Sequence, residues 1–360
     1  MKKIISITAA ALTMGLLATA SLTTSSCTDM GGDGIDSVIW EGSTNPENKG
    51  FRNPVWEPSL DAGTVVKGAS MYVALSATTQ WTPGLDNICP ALTSNNLMTW
   101  SRANDGFTAE GQPLWAEGRV NSLSADYARA VTGATYWLFY TLEGTEAIGA
   151  ASASTAQGPY TDRGELLTAA DVNSTTIRNP FFFVVSTAYY LCYTADDGVY
   201  LQRLTLNRTR GASLNGTATK IAGTGIDDVC VLRKSASEMY LLFTAASDNG
   251  NTEIRYARAE AVTGPYLDKS GHSLNDGSRG ELLISSGNEM VDPCNPMRAF
   301  LNSEQTHVFV AYNATEHGKA NMASGYARRP MLVTPVELGE DGWFAQSVTA
   351  NKGWAEPRFY

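Results

Sequence analysis

The sequence predicts an all-β fold, a five-bladed β-propeller, on two observations. A phrase of aromatic and aliphatic residues returns five times: MYVALSA (Met71 to Ala77), YWLFYT (Tyr136 to Thr141), YYLCYT (Tyr189 to Thr194), MYLLFTA (Met239 to Ala245) and HVFVAYNA (His307 to Ala314). The copies begin at positions 71, 136, 189, 239 and 307, close to the period of a four-stranded propeller sheet with loop insertions of variable length. The second observation is an outer-edge phrase shared by two of the repeats. Gln157-Gly158-Pro159-Tyr160 leads to Gly164-Glu165-Leu166-Leu167, and Thr263-Gly264-Pro265-Tyr266 leads to Gly280-Glu281-Leu282-Leu283. Proline suits an edge strand, where its missing N–H removes no ladder bond.

In chain order, the first element is a targeting segment. Met1-Lys2-Lys3 is a basic start, Ile4 to Ala20 is apolar, and Leu22-Thr23-Thr24-Ser25-Ser26 supplies small residues before Cys27. This pattern resembles a bacterial lipoprotein signal peptide over residues 1–26, with Cys27 as the lipidation site. Residues 27–45 then read as a flexible tether, and 46–360 as the propeller domain. The expected location is outside the cytoplasm, lipid-anchored at the bacterial outer membrane, cell surface or periplasmic side. The lipid would be the only membrane contact.

Each repeat then begins with a polar turn and a strand, so that the recurring phrase is the second strand of a hairpin. Lys67-Gly68-Ala69-Ser70 and Thr132-Gly133-Ala134-Thr135 are such turns. The innermost strand of a blade lines the central channel, so acids at its start can converge from distant parts of the chain. The five candidate starts are Trp56-Glu57-Pro58-Ser59-Leu60, Ser124-Ala125-Asp126-Tyr127, Ile177-Arg178-Asn179-Pro180, Ile226-Asp227-Asp228-Val229 and Val291-Asp292-Pro293-Cys294. Four of them carry an acid. Acids are disfavoured inside strands, which makes their recurrence hard to explain as packing.

Composition removes several alternatives. A formal net charge of −10 and the lack of clustered Lys and Arg exclude nucleic acid as the partner. Only three His occur, without HExxH spacing, and no GxSxG elbow is present, so zinc hydrolysis and Ser-His-Asp chemistry have no sequence support. Cys89, Cys192, Cys230 and Cys294 form no CxxC pair and read as buried thiols. Carboxylate chemistry on a neutral or weakly charged substrate remains.

Several phrases together resemble glycoside hydrolase family 43. They are Glu57-Pro58-Ser59 followed by Met71-Tyr72-Val73, Ile148 to Ser152 followed by Gly158-Pro159-Tyr160, Asn179-Pro180, and Arg328 to Val333 followed by Asp341-Gly342-Trp343. The resemblance implies an inverting enzyme that cuts arabinan, arabinoxylan or xylosides. It further implies a base Asp in the first blade, an Asp in the third that tunes the acid, and a general acid Glu in the fourth. Carried over, these places fall on Glu57, Asn179 and Asp227, with Asp228 beside the last, and all three differ from the family residue. Trp56 and Trp81 would offer platforms for sugar faces, and Asp126, Asp228 and Arg298 would contact the substrate. Some members of that family hold a calcium near a fifth-blade His. Here the region reads Asp292-Pro293-Cys294-Asn295-Pro296, so no cofactor or metal is expected, a structural calcium in the central channel being the one ion the resemblance leaves open. Two readings follow: an active glycosidase on a plant-type polysaccharide or oligosaccharide, or a catalytically weakened propeller that binds glycan at the cell surface.

Overall fold

The computed structural model describes residues 51–355, apart from 69, 130, 132 and 134, together with the short strand Ser37–Val38. The expected signal segment 1–26 and Cys27 lie outside the described residues.

Five antiparallel sheets form five blades, as the repeat predicts. From the inside outward, blade I is Thr64–Lys67, Tyr72–Leu75, Pro90–Ser94 and Ser101–Asp105, and blade II is Val120–Tyr127, Tyr136–Leu142, Ala147–Ala153 and Thr161–Thr168. Blade III is Ile177–Val185, Ala188–Ala195 and Gly198–Asn207, with Gly211–Leu214 and Thr219–Ala222 both on its outer edge. Blade IV is Asp227–Ser235, Glu238–Ala246, Thr252–Ala259 and Glu281–Ser285; blade V is Met290–Asn302, His307–Glu316 and Met331–Glu337. The recurring phrase is the second strand of every blade. That strand is flanked by ladders on both edges and packed on both faces, so Tyr136–Leu142 is buried along its whole length. A strand covered on both faces needs an unbroken apolar run instead of alternation.

The first strands of successive blades touch one another round a closed ring, blade V meeting blade I. The core lies between blades. Phe139 of blade II packs on Phe182 of blade III at 4.8 Å between ring centroids, and Tyr72 of blade I meets Phe300 of blade V edge-on at 5.3 Å. Such pairs contribute roughly 0.5–1.5 kcal/mol beyond the area they bury.

The segment before blade I closes the ring. Val55 N–H donates to Met331 O (2.9 Å) and Met331 N–H to Trp56 O (3.1 Å), while the buried Asn53 side chain brackets Val333 by donating to its carbonyl (2.9 Å) and accepting from its N–H (3.0 Å). Residues 53–56 therefore run along the outer edge of blade V, and the channel-lining strand of blade I starts only at Thr64.

The inner strands share one device at their starts. The ladder slips between Arg178 and Phe181, between Asp227 and Cys230, and between Val291 and Cys294. Asn179, Asp228 and Asn295 sit at or beside these bulges in the left-handed region (φ 51°, 45° and 45°), and Ala62 takes φ 43° just before blade I. A bulge re-aims side chains that a regular pleat would send to the neighbouring blades. Asn and Asp tolerate the left-handed conformation better than other side chains do.

Candidate active site

A cavity of about 500 Å³ opens at the channel mouth, where the inner strands begin. Arg178, Asp227, Asp228, Thr244, Asp292 and Arg329 line it. This is the size range of small-ligand sites, and the wall is unusually rich in ionisable groups.

The two adjacent acids of blade IV are held in different ways. Asp227 accepts from Asn179 Nδ2 (2.7 Å), Thr194 Oγ1 (3.0 Å), Arg178 Nε (3.2 Å) and the Asp228 backbone N–H (3.1 Å). These four donors fix the orientation of the carboxylate. Asp228, one residue on, is turned by the bulge into the cavity wall, where it is partly buried. Burial raises its pKa first and the Asp227 charge second, against the Thr244 hydroxyl and the Arg329 cation, and the carboxyl is pushed up to about 7. Arg329 Nη1 also pairs with Asp61 at 3.1 Å, so the cation whose charge acts on this blade IV acid is held by the turn that leads into blade I.

That turn is firmly placed. The Asp61 carbonyl accepts from Ala77 N–H (3.0 Å) and Ser76 Oγ (3.3 Å). Leu60 N–H donates to Arg329 O (3.0 Å), and the Asn313 amide of blade V donates to Leu60 O (2.7 Å). Asn313 in turn accepts from Asn295 Nδ2 (2.9 Å), and Asn295 N–H donates to Thr244 Oγ1 (2.9 Å). A polar chain thus joins blades IV, V and I round the mouth of the channel.

The residues singled out in the sequence divide into two groups. Asp227, Asp228 and Asn179 come together at the cleft mouth. Glu57 does not join them: it lies at the end of the closing segment on blade V, is exposed, and pairs with Arg328 at 3.2 Å. Arg328 is itself bound to Glu316 (2.6 Å), which also holds Lys319 (2.8 Å) and Lys352 (2.6 Å). Trp56 and Trp81 pack on each other with ring centroids 5.7 Å apart and join the core between blades V and I. Asp126 and Arg298 pair at 3.2 Å deep in the channel. There the Arg298 guanidinium also donates to the carbonyls of Val65 (3.1 Å) and Ala125 (2.9 Å) and lies over the Phe181 ring. Asp126 stands near the end of its inner strand, whereas Asn179 and Asp228 stand near the starts of theirs. The four cysteines read as thiols are free and buried.

Sequence reasoning missed Asp61 and Arg329. Asp61 precedes Met71 by ten residues, as Asn179 precedes Tyr189, whereas Glu57 is fourteen away; that offset was the available signal.

A five-bladed propeller that gathers carboxylates from separate blades into one polar cleft has the make-up of a propeller glycosidase. The chain belongs to glycosyl hydrolases family 43, whose model matches residues 51–344. By sequence it is similar to the extracellular endo-α-(1→5)-L-arabinanase 1 of Bacillus subtilis (strain 168), at 27% identity over 242 residues, spanning 63% of this chain and 72% of that protein. By structure it is similar to the Cellvibrio cellulosa α-L-arabinanase, with a TM-score of 0.63, 17% identity, and coverage of 80% of this chain and 95% of the other. It is also similar to the xylan β-1,4-xylosidase from Bacillus halodurans C-125, with a TM-score of 0.62, 15% identity, and coverage of 86% and 60%. At these identities the structural likenesses speak for the fold.

Proposed function

We propose that the protein hydrolyses α-L-arabinofuranosyl linkages of arabinan with inversion of configuration, Asp61 acting as general base and Asp228 as general acid. The observation that carries this reading is the cation of Arg329 on the cavity wall, which pairs with Asp61 from the turn into blade I at 3.1 Å and whose charge also acts on Asp228 of blade IV. A carboxyl held protonated near neutral pH can donate to the departing glycosidic oxygen, while an ionised partner across the sugar takes a proton from the attacking water. Arg178 and Asp292 on the cavity wall supply polar groups for sugar hydroxyls. Arabinan is the favoured substrate because the sequence relative is an endo-α-(1→5)-L-arabinanase.

The test is release of reducing sugar from linear α-1,5-arabinan, arabinoxylan and β-1,4-xylan, with the anomer formed first read by proton NMR. Preferred cleavage of arabinan with the inverted anomer is expected. Retention of configuration would make Asp61 a nucleophile instead, and binding to these polysaccharides without release would favour a glycan-binding propeller.

Export fits this substrate, which is too large to enter a cell, and the B. subtilis relative is extracellular. Lipid attachment at Cys27 is part of the same reading; metabolic labelling with palmitate should mark the wild type and spare Cys27→Ala.

A further inference from the structure

The adjacent acids of blade IV differ in a way that the proposed roles of Asp61 and Asp228 leave unused. Asp227 has its carboxylate filled by donors from blade III: the Asn179 amide at 2.7 Å, the Thr194 hydroxyl at 3.0 Å and the Arg178 guanidinium at 3.2 Å. A carboxylate so engaged is poorly placed to donate a proton. Its neighbour, turned inward by a left-handed backbone (φ 45°), meets the cavity with fewer compensating partners. The position on blade III that would carry a tuning acid is an amide, and that amide points its donor at Asp227.

We propose that Asp227, locked by Asn179, is a positioning residue that keeps Asp228 protonated, so that the charge expected from blade III is supplied from the acid's own strand. The inference rests on the reading of Asp228 as the general acid. The Asp227 charge, fixed in place by three cross-blade donors, opposes a second negative charge on the neighbouring Asp228. The other charged or titratable groups about Asp228 are Arg329 and Asp61 toward blade I, Cys294 and Asp292 on blade V, and Arg178 on blade III. Arg329 and Arg178 favour ionisation of Asp228, and the remaining acids oppose it. Asp227 is the largest of the opposing charges, second only to burial in raising the Asp228 carboxyl.

The experiment compares wild type, D227N, the exchanged pair D227N/N179D and D228N in two readouts. One is the pH dependence of kcat/KM on linear α-1,5-arabinan, which reports the free enzyme's acid and base. The other is a 13C carboxyl NMR titration of aspartate-labelled protein, with D228N assigning the resonance. D227N should move both the alkaline limb and the Asp228 titration down by about one pH unit or more, and D227N/N179D should bring them back toward wild type. A purely structural role for Asp227 would lower activity at every pH with the limb in place, and that result, or a carboxyl titration that D227N leaves unmoved, overturns the inference. If D228N retains arabinan hydrolysis, the assignment of the acid falls, while the NMR titration still decides whether Asp227 controls Asp228.

Discussion

Glu57 and Asp61 are near neighbours in the chain and meet different partners. Glu57 shares Arg328 with Glu316 on the edge of blade V, while Asp61 meets Arg329 at the cleft mouth. A half-exposed ion pair of the first kind contributes little to stability and touches no reacting atom. Glu57→Gln should therefore keep kcat/KM on arabinan within about twofold of wild type, a surface change being near neutral. A loss comparable to removing a general base, about a hundredfold or more, would return Glu57 to the chemistry. The Asp228 carboxyl is raised first by burial and then by the Asp227 charge.

At the scale of the element, second strands and bulges were unequally legible. The second strands could be read because they are covered on both faces, which forces an apolar run that no turn or loop imitates. Asp227 and Asp228 could be placed at the start of an inner strand, and the resemblance put the acid on Asp227 with Asp228 beside it. A single inserted residue brings both side chains to the cavity wall, and the period-two argument fails at a bulge. The placement of Glu57 was harder still to read, because Glu57 precedes the first hairpin as the rule requires. The segment holding it is nevertheless recruited to blade V, by contacts between residues such as Asn53 and Val333 that are distant in sequence. Closure of the ring is thus a long-range event without a local signature. It is also testable: Asn53→Ala strips two hydrogen bonds from buried backbone groups of the outer strand. It should cost about 2–3 kcal/mol in denaturant unfolding, against a few tenths for an ordinary surface change.

For the molecule as a whole, the cleft carries a cost that varies with pH. Asp228 in the unfolded chain has a pKa of about 3.9. Its folded value is raised to about 7, so between these limits the folded state binds more protons than the unfolded one. Stability from this group therefore falls as pH rises from about 4 to about 7. Asp228→Asn removes the penalty, and its Tm relative to wild type should be higher at pH 8 than at pH 4; the reverse order would mean that Asp228 is ionised throughout. The same carboxyl anchors the functional account, in which a five-bladed ring brings acids from its first and fourth blades to one cleft. The most direct measurement is the rate of linear α-1,5-arabinan hydrolysis by wild type, Asp61→Asn and Asp228→Asn, with each folded variant also scored on an activated 2,4-dinitrophenyl α-L-arabinofuranoside. We expect each substitution to lower the arabinan rate by a factor on the order of 10²–10⁴. The activated substrate, whose leaving group needs no proton, should restore turnover to Asp228→Asn and not to Asp61→Asn. Arabinan hydrolysis that survives either substitution would contradict the assignment of these two carboxylates.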